Sequence, residues 1–555
     1  MLFVNLSCLL AALPVLCLAA PQQQQQQPNA APAVEPEDFD VVAALQDQGV
    51  DVSALPLAQL ANLSARSESW ACALACSSLE ILYGRKAVTQ AGNAVYTNIT
   101  QHGYWSLAQS SATPACLFQP STAGQVSVLV LVSRLTTCPF AVRSGGHASF
   151  PAASSITDGI TVSLDNLNSI NLSGDHSIVS VGAGNKWGAV YQALDPLNLT
   201  VTGGRNSDVG VGGLTLGGGI SFFSNLYGWA CDNVASYQVV TACGSVVTAS
   251  ENQNSDLYFA LRGGGNNFGI VTNFNFYTYS LPNGTMWGGT KIYTEQNFPA
   301  VVHAFTEISN NAESDLNAGT WVTWVSLNGT KIAGAELWYA KQNGTNATIF
   351  DNFRTIPAIV DGTKNQPVLD YTAHIASEDP YGFRQYFYVM TIKNDETLNG
   401  IAKDIFFDEI AAFDVVPGMF ATATCQSITI PQIRQMSKRG GNPLGLDPSD
   451  GPLTLILLNP QWTGAQYDEI VYTAGSNVLS RIKAEAEARN LASNYLYMNY
   501  ASQYQDVVAS YGDDNKQRLI QIAQRYDPQG VFQNLSPGYF KLDRAPVPGT
   551  AYFSF

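Results

Sequence analysis

The residues in this sequence best suited to binding a ligand are glycines, which cluster four times between residues 143 and 269. Glycine has no Cβ, so its backbone N–H groups can approach a ligand closely and can adopt positive φ. Successive amides in such turns form concave sites for anions such as phosphate. Four clusters together predict a large phosphate-bearing ligand surrounded by several loops. The clusters cover residues 143–147, 181–188, 209–219 and 261–269.

Each cluster also has a purely structural interpretation, as a turn or a strand crossing. Residues 181–188 further resemble the turn of a dinucleotide-binding Rossmann unit, because they follow an apolar strand and precede a helical pattern. The third glycine comes one place too late for G-x-G-x-x-G, however, and no acidic residue follows at the expected distance. A Rossmann fold is therefore disfavoured.

Other common chemistries have little support. The sequence contains no G-x-S-x-G nucleophile motif and no H-E-x-x-H metal helix. Cys72 and Cys76 have no second Cys/His cluster nearby, so no metal site is predicted. The carboxylate pair Asp513-Asp514 is typical of a solvated surface.

The elements that must position the glycines are short β-branched runs within residues 112–285. Helical patterns intervene at 125–135 and 187–194, and this alternation predicts an α+β domain. The β-branched runs lie at 140–143, 160–164, 178–181, 238–241 and 269–272.

A second unit is predicted over residues 286–490, where glycine density falls. Apolar alternation at 320–326 and 333–339 predicts strands, and amphipathic stretches at 401–413 and 467–489 predict helices that cover a sheet. A final helix is predicted at 515–526. The predicted organisation is a signal peptide at 1–19, a low-complexity tail at 20–60, a first domain at 61–285, a second at 286–490 and a C-terminal segment at 491–555.

The composition narrows the class of protein. Of 555 residues, 46% are apolar, which is ample for packed cores, while only 13% are charged. The net charge of −16 argues against binding to a nucleic-acid backbone.

The N-terminus predicts secretion, because an apolar stretch from Leu6 to Ala20 with a small-x-small pattern is typical of a cleaved signal peptide and too short for a membrane span. Seven cysteines remain after cleavage, so most are expected to pair and at least one cannot pair within the chain; the pairing itself stays open. Nine N-x-Ser/Thr sites permit glycosylation. They are Asn62, Asn98, Asn171, Asn198, Asn283, Asn328, Asn343, Asn346 and Asn534.

Taken in order, these motifs resemble those of the secreted berberine bridge enzyme-like flavoproteins, over about residues 110–545. The run 142–147 resembles the flavin-anchoring motif of that family, and the other glycine clusters resemble its further FAD-contacting loops. Tyr497-Met498-Asn499-Tyr500 and residues 526–532 resemble its C-terminal signatures. The resemblance implies an α+β fold with a two-lobed FAD-binding domain of the PCMH type, whose core spans about 112–285. It also implies an α+β substrate domain whose antiparallel sheet is covered by helices.

The resemblance implies a covalent bond between the imidazole of His147 and the flavin. Such a tether raises the flavin's reduction potential and prevents cofactor loss outside the cell. Many relatives carry a second tether through a cysteine, but Asn206 occupies that place here, so a single link through His147 is expected. Cys231 and Cys243 lie downstream and are expected to be structural.

The same resemblance places Val209 at the position that governs oxygen access, where valine is associated with reactivity toward oxygen. The residues implied to contact the cofactor are Arg143, Ser144, Gly145, Gly146, His147, Val209, Gly210, Gly213, Leu214, Gly217, Gly218, Gly219, Gly269, Ile270 and Asn499.

Tyr497 and Tyr500 are the candidate acid/base groups, with Tyr497 narrowly preferred. Strand alternation would place only one of them toward the flavin, unless the strand is bulged between them. A phenol with an ordinary pKa near 10 needs a cationic neighbour to act near neutral pH, and the sequence does not identify one. The alternative is a pair of core tyrosines. Ser149 stands where many relatives have a tyrosine, so one wall of the substrate site differs.

These observations predict a secreted, monomeric, FAD-dependent oxidase that takes a hydride from an alcohol, sugar lactol or related carbon. Molecular oxygen would be reduced to hydrogen peroxide. The alternatives are a protein of this fold that uses another electron acceptor, or one that binds FAD without turnover. No nucleic-acid or membrane partner is expected, and the substrate itself is not predicted.

Overall fold

The computed structural model describes residues 33–56, 68–327, 329–413 and 415–547. The predicted signal peptide and the glycosylation sites Asn62 and Asn328 lie outside these residues. Within them, two hydrophobic cores divide the chain into two lobes.

The first lobe holds a four-stranded sheet and a five-stranded antiparallel sheet, with strand orders β1-β2-β4-β3 and β5-β6-β10-β8-β9. Its strands are β1 Val88–Thr89, β2 Cys116–Phe118, β3 Phe140–Arg143, β4 Ile160–Ser163, β5 Ile170–Leu172, β6 Ile178–Gly182, β7 Leu199–Thr200, β8 Val234–Val240, β9 Val246–Ser250, β10 Ile270–Tyr277 and β11 Tyr279–Ser280. Its helices are α1 Val41–Asp47, α2 Glu68–Tyr83, α3 Ala94–His102, α4 Leu107–Ser110, α5 Ala123–Thr136, α6 Trp187–Leu194, α7 Val211–Leu216, α8 Ser224–Tyr227 and α9 Ser255–Leu261.

The second lobe is built on a nine-stranded antiparallel sheet, whose central strands follow the order β12-β14-β13-β19-β20-β18. Its strands are β12 Thr285–Thr294, β13 Ala318–Leu327, β14 Thr330–Tyr339, β15 Val360–Asp361, β16 Lys364–Pro367, β17 Arg384–Gln385, β18 Tyr388–Lys393, β19 Ala421–Ile428, β20 Leu453–Leu458, β21 Gln461–Trp462 and β22 Ala492–Ser493, of which β17 and β21 pair separately. Its helices are α10 Phe298–Asn310, α11 Asp351–Thr355, α12 Val368–Ser377, α13 Glu396–Glu409, α14 Ile430–Gln435 and α15 Asp468–Ala488; the C-terminal segment adds α16 Asp513–Tyr526 and α17 Val531–Asn534.

The predicted helices correspond to α5, α6, α13, α15 and α16. Helix α5 shows why the sequence specified them. The Thr122 side chain accepts a hydrogen bond from the backbone N–H of Gln125 at the start, and Thr137 adopts a left-handed conformation at the end. Residues 126–133 of this helix are buried on all sides, as expected for a helix with apolar residues around its whole circumference.

The nine-stranded sheet has two different faces, because successive side chains on a strand point in opposite directions. Val322, Ala335 and Ala423 face α10, α13 and α15 and form the second core. Thr323, between Val322 and Trp324, lies on the opposite, open face. The predicted sheet with covering helices is therefore confirmed, and its uncovered face is available to line a site.

Both ends of the described chain return to the first lobe. Tyr495, Phe532 and Phe540 belong to its core. Residues 33–56 also pack there, although they were predicted to belong to a low-complexity tail: Leu45 is fully buried, and the buried Glu35 carboxylate pairs with Arg134 at 2.6 Å. The low-complexity composition of this segment obscured a short apolar helix, α1, which packs against the first lobe.

Two disulfides tie α2 to the first lobe, joining Cys72 to Cys138 and Cys76 to Cys116. Four of the seven cysteines are thus paired, a pairing that the sequence left open. Cys231 remains a buried thiol, and burial raises its pKa well above the ordinary value. No helix among the described residues combines the length and the hydrophobicity needed to cross a bilayer.

The two disulfides close loops of 66 and 40 residues. In the chain-entropy description each contributes about 4 kcal/mol. We expect a Cys72→Ala/Cys138→Ala double variant to lose stability on this scale in denaturant unfolding. Adding a thiol reductant should destabilise the wild type further than the double variant, which retains only one disulfide to reduce. Equal sensitivity to reductant would contradict this assignment.

Candidate active site

A cavity of about 660 Å³ lies between the glycine loops of the first lobe and the open face of the nine-stranded sheet. This volume is within the range typical of small-molecule and cofactor sites. Loops from both lobes and the C-terminal segment line it, so the site exists only when the two lobes are assembled.

Ser144 joins three of the glycine clusters. Its hydroxyl donates to the backbone oxygen of Ala183 at 2.7 Å and accepts from the backbone N–H of Gly212 at 3.2 Å. Beside it, the backbones of Gly145 and Gly210 are in direct contact, and a methyl group on either would overlap the other. The glycines at these two positions are therefore required by the approach of one loop to another.

Most of the predicted cofactor-contacting residues meet in this cavity. They are Ser144, Gly145, Gly146, His147, Val209, Gly210, Gly213, Leu214, Gly269, Ile270 and Asn499, and Tyr497, Tyr500 and Ser149 line it as well.

Four of the predicted contact residues do not line the cavity. The Arg143 guanidinium points behind its loop, where it pairs with Asp165 at 2.8 Å and donates to the backbone oxygen of Gly103. Gly217, Gly218 and Gly219 lie against Asn499, Trp229 and Ala230 and give the turn room to pass them. These four residues shape the loops rather than the surface of the site.

The imidazole of His147 is held between aromatic rings. It stacks on Trp105 with ring centroids 4.6 Å apart, and the edge of Tyr381 approaches at 6.5 Å. Its Nε2 atom is buried and makes no hydrogen bond within the described residues; the nearest acidic group is Asp379, whose Oδ2 is 3.4 Å away. The other ring nitrogen is Nδ1, and His147 itself lines the cavity.

The expectation that only one of Tyr497 and Tyr500 faces the site is wrong, because this segment is not a strand. Residues Met498–Tyr500 form a turn of 3₁₀-helix. In that conformation side chains three residues apart lie on the same side. The two rings meet edge to face, with centroids 4.9 Å apart, and both line the cavity.

The two phenol oxygens differ in their partners. The Tyr497 oxygen accepts hydrogen bonds from the backbone N–H of Ile220 and from Asn499 Nδ2, both at 3.0 Å, and burial raises the pKa of Tyr497 above its ordinary value. The Tyr500 oxygen lies 3.1 Å from Nη2 of Arg205. Arg205 is the cationic neighbour that the sequence could not identify.

Arg205 is fixed by its other contacts. Its Nη2 donates to Gln426 Oε1 at 2.6 Å, and its guanidinium lies over the Trp321 ring at 4.7 Å. Strand register places Trp321 directly opposite both Gln426 and Glu336. Three neighbouring strands therefore present one polar row to the cavity, and Arg205 closes that row from the first lobe.

Glu336 is the buried acid of this row. Its carboxyl oxygens accept from Thr290 Oγ1 and from the Tyr371 hydroxyl, both at 2.5 Å. Burial raises the pKa of Glu336 to about 7, and hydrogen bonds from Thr290 and Tyr371 only partly oppose that effect. The carboxyl is thus close to changing its charge under physiological conditions.

Arg205, Glu336, Gln426 and Asp379 were not found by sequence reasoning. No motif surrounds them, and they come from four segments far apart in the chain. A strand-alternation pattern could have placed Glu336 and Gln426 on the open face, but not opposite Arg205. Of the two tryptophans in strand β13, Trp321 lines the cavity while Trp324 belongs to the second core.

The geometry suits FAD. Glycine backbones from several loops come together along the cavity, and His147 lines one wall of it. The fold and site therefore define a flavin-dependent oxidoreductase of two lobes.

Comparisons with known proteins agree. A family model described as "FAD binding domain" matches residues 114–250. The FAD-dependent monooxygenase tpcD of Cochliobolus heterostrophus is 37% identical over 453 residues, covering 79% of this chain and 87% of that protein. The FAD-dependent monooxygenase prx3 of Penicillium roqueforti is 33% identical over 449 residues, covering 78% and 87%.

Solved structures share the fold. The xylooligosaccharide oxidase of Myceliophthora thermophila matches with a TM-score of 0.68 at 21% identity, over 87% of this chain and 100% of that one. A berberine bridge enzyme variant matches with a TM-score of 0.67 at 17% identity, over 86% and 99%. The chain belongs to the family of FAD-linked oxidoreductases that includes these FAD-dependent monooxygenases, and it shares the fold of berberine bridge enzyme.

Two glycine-to-alanine variants distinguish a glycine that is required for folding from a glycine that is required for cofactor binding. A methyl group at Gly145 would overlap Gly210, whereas one at Gly213 meets no protein atom within 4 Å although Gly213 lines the cavity. We expect Gly145→Ala to lower the melting temperature. Gly213→Ala should leave apoprotein stability unchanged or raise it, because Gly213 lies within helix α7, and it should lower the FAD content. Full FAD content in Gly213→Ala would show that the cofactor does not approach this turn.

Glu336 predicts a pH dependence of stability. Its pKa rises from an ordinary 4.5 to about 7 on folding. Between these values the folded protein holds a proton that the unfolded chain releases. The contribution of this proton to the free energy of unfolding is therefore complete below pH 4.5 and is lost by pH 7, a loss of about 3 kcal/mol. Glu336→Gln should remove this loss in unfolding measured from pH 4 to 8. Glu378→Gln should reduce the loss only slightly, because the Glu378 charge is a minor cause of the raised pKa of Glu336. An unchanged slope in Glu336→Gln would contradict the assignment.

Proposed function

We propose that this protein is a secreted, monomeric FAD-dependent oxidase, with the cofactor covalently held through His147 alone. It would take a hydride from a carbon bearing a hydroxyl group, as in an alcohol or sugar lactol, and reduce oxygen to hydrogen peroxide. The observation that carries this proposal is the Tyr500–Arg205 pair, which faces the same cavity as His147 and the glycine loops.

The flavin, when bound, would supply the acceptor for the hydride, which carries the two electrons of the oxidation. The protein supplies the proton chemistry and the positioning. The glycine loops would hold the nucleotide, with Ser144 keeping three of them together. Tyr500 would receive the substrate's hydroxyl proton at its phenol oxygen. Arg205 provides a positive charge 3.1 Å from that oxygen, which is where negative charge must be tolerated.

This assignment reverses the preference for Tyr497 that the sequence suggested. The Tyr497 oxygen already accepts two hydrogen bonds, and its raised pKa keeps its proton in place. Tyr497 would therefore act as an oriented hydrogen-bond donor toward a substrate oxygen, while Asn499 and the Ile220 backbone hold it still.

The open face of the sheet suggests the shape of the substrate. The row nearest Arg205 contains Glu336, Trp321 and Gln426, and the row two positions further along contains Gly334, Thr323 and Thr424. The next row is formed by Ile332, Val325 and Thr422. An oxygen-bearing end would lie at the first row, and an apolar portion would lie over the third.

Oxygen chemistry has two candidate outcomes. Val209 lines the cavity at the position associated with oxygen access, which favours an oxidase. The relatives named FAD-dependent monooxygenases favour insertion of oxygen into the substrate instead. The two differ in stoichiometry, because only an oxidase returns one peroxide for each oxygen consumed.

Secretion is supported by two features of the described residues. Two disulfides are typical of an oxidising compartment. The asparagine of each described glycosylation site is exposed: Asn98, Asn171, Asn198, Asn283, Asn343, Asn346 and Asn534. Recovery of glycosylated protein from the medium of the producing cells would test this part of the proposal.

The function is tested by anaerobic flavin bleaching across a panel of alcohols, sugars and phenols. With any compound that bleaches the wild type, Tyr500→Phe should slow reduction by about 10²- to 10⁴-fold, the range of general acid–base catalysis. Tyr497→Phe should slow it less. Tyr495→Phe is the matched control. The Tyr495 side chain is not among the residues that line the cavity, and its buried hydroxyl has no hydrogen-bond partner among the described residues.

Each other outcome has a defined meaning. Bound FAD that no compound bleaches would overturn the enzymatic proposal in favour of binding without turnover. Bleached flavin that reoxidises with artificial acceptors but not with oxygen would indicate a dehydrogenase. Peroxide below the oxygen consumed, with labelled oxygen in the product, would indicate a monooxygenase. A rate in Tyr500→Phe equal to wild type would remove Tyr500 from the mechanism.

A further inference from the structure

Asp379 is an acidic residue in the cavity that the function described above does not use. Its Oδ2 lies 3.4 Å from Nε2 of His147, the buried ring nitrogen without a hydrogen bond. The carboxylate is the acidic group that faces this nitrogen. The ring cannot turn away easily, because Trp105 stacks on one face and Tyr381 meets it edge-on.

The carboxylate of Asp379 is itself held in place. Asn206 Nδ2 donates to Asp379 Oδ2 at 3.2 Å. The orientation of the Asn206 amide is fixed from its other end, because Asn206 Oδ1 accepts from the backbone N–H of Asp208 at 2.8 Å. The amide nitrogen therefore points at Asp379 and holds its carboxylate next to the imidazole of His147.

Local structure gives no reason for an acidic residue at this position. Asp379 comes directly after Glu378, the C-cap of helix α12. A negative charge next to a helix C-terminus is disfavoured by the helix dipole. Its geometry is instead accounted for by the ring nitrogen that it faces and by the amide that supports it.

We propose that Asp379 is a positioning residue for covalent flavin attachment, by holding the proton of His147 on Nε2. A carboxylate beside one imidazole nitrogen fixes the proton there and leaves the lone pair on the other. That other nitrogen is Nδ1, the atom through which the ring would bond the flavin. Asn206 supports this arrangement by orienting the carboxylate. The inference depends on the His147 tether of the proposed function.

The overall step balances with molecular oxygen as the oxidant. A C–H bond of the flavin's ring methyl group breaks and a bond from Nδ1 to that carbon forms. The Nε2 proton is released as Nδ1 becomes alkylated. The two electrons and two protons removed from the methyl group and the imidazole reduce one oxygen molecule to hydrogen peroxide. Asp379 adds no atom to the product and acts only through the position of the ring proton.

The test compares the rate of covalent attachment in wild type, Asp379→Asn and Asp379→Glu, after apoprotein is mixed with FAD in air. Covalent flavin is the absorbance that stays with acid-precipitated protein, and a tryptic peptide containing His147 with the mass of attached FAD verifies the site. In Asp379→Asn the amide can donate to Nε2 and favour a proton on Nδ1. We expect attachment at least about tenfold slower.

The conservative variant and a neighbour supply the controls. Asp379→Glu keeps the carboxylate and should recover part of the rate. Glu378→Gln removes the adjacent carboxylate and should attach flavin at the wild-type rate. Asn206→Ala should slow attachment less than Asp379→Asn, because it loosens the carboxylate without removing it. Total FAD bound and the melting temperature show whether each variant has folded and taken up the cofactor.

Failure of the inference and failure of the tether give different results. If wild type releases all of its flavin on acid precipitation, the His147 link of the proposed function is wrong. If wild type attaches flavin and Asp379→Asn binds FAD and attaches it at the same rate, the tether stands and the role of Asp379 is refuted. Slow attachment in Glu378→Gln to the same extent would also refute it, because the effect would then be one of general charge.

Discussion

The structure of this protein depends on the contact between two backbones, at Gly145 and Gly210. No side chain fits between these loops, and Ser144 spans the junction with one hydroxyl that both donates and accepts. Because the loops meet this closely, His147 at the end of one and Val209 at the start of the other line the same cavity. A backbone surface with few side chains is also what a flat, phosphate-bearing cofactor requires.

The second lobe contributes through the alternation of its strands. Each strand of the nine-stranded sheet gives one set of side chains to the helices and the other to the cavity. The helix-facing set is apolar and ranges in size from Ala335 to Trp324, and it forms the second core with the covering helices. The cavity-facing set can then vary without loss of the core. This division explains how one fold supports different substrates within a family.

The charged side chains Arg205 and Asp379 lie in two separate groups in the site. Arg205 lies among Tyr500, Gln426 and the Trp321 ring, in the part of the cavity that the second lobe completes. Asp379 lies with Asn206 beside His147, at the wall where the cofactor would be attached. Groups of this kind are costly to bury without partners, so their positions reflect a requirement of the site. In the proposed function the first group acts on the substrate and the second on the cofactor.

The sequence by itself determined the features that depend on local order in the chain. The glycine clusters, the caps of α5 and the apolar alternation in β13 and β14 each arise from neighbouring residues, so the elements, the fold class and most of the cavity-lining loops could be predicted.

Tertiary structure alone decided which distant groups meet. Arg205 and Tyr500 are brought together by the docking of the C-terminal segment, and Glu336 faces them through strand register. The prediction of which tyrosine faces the site was wrong even though Tyr497 and Tyr500 are only three residues apart, because a 3₁₀ turn and a strand differ in periodicity. Packing against the first lobe selected the turn. A site formed by contact between distant segments has no characteristic residue spacing that could be recognised in the sequence.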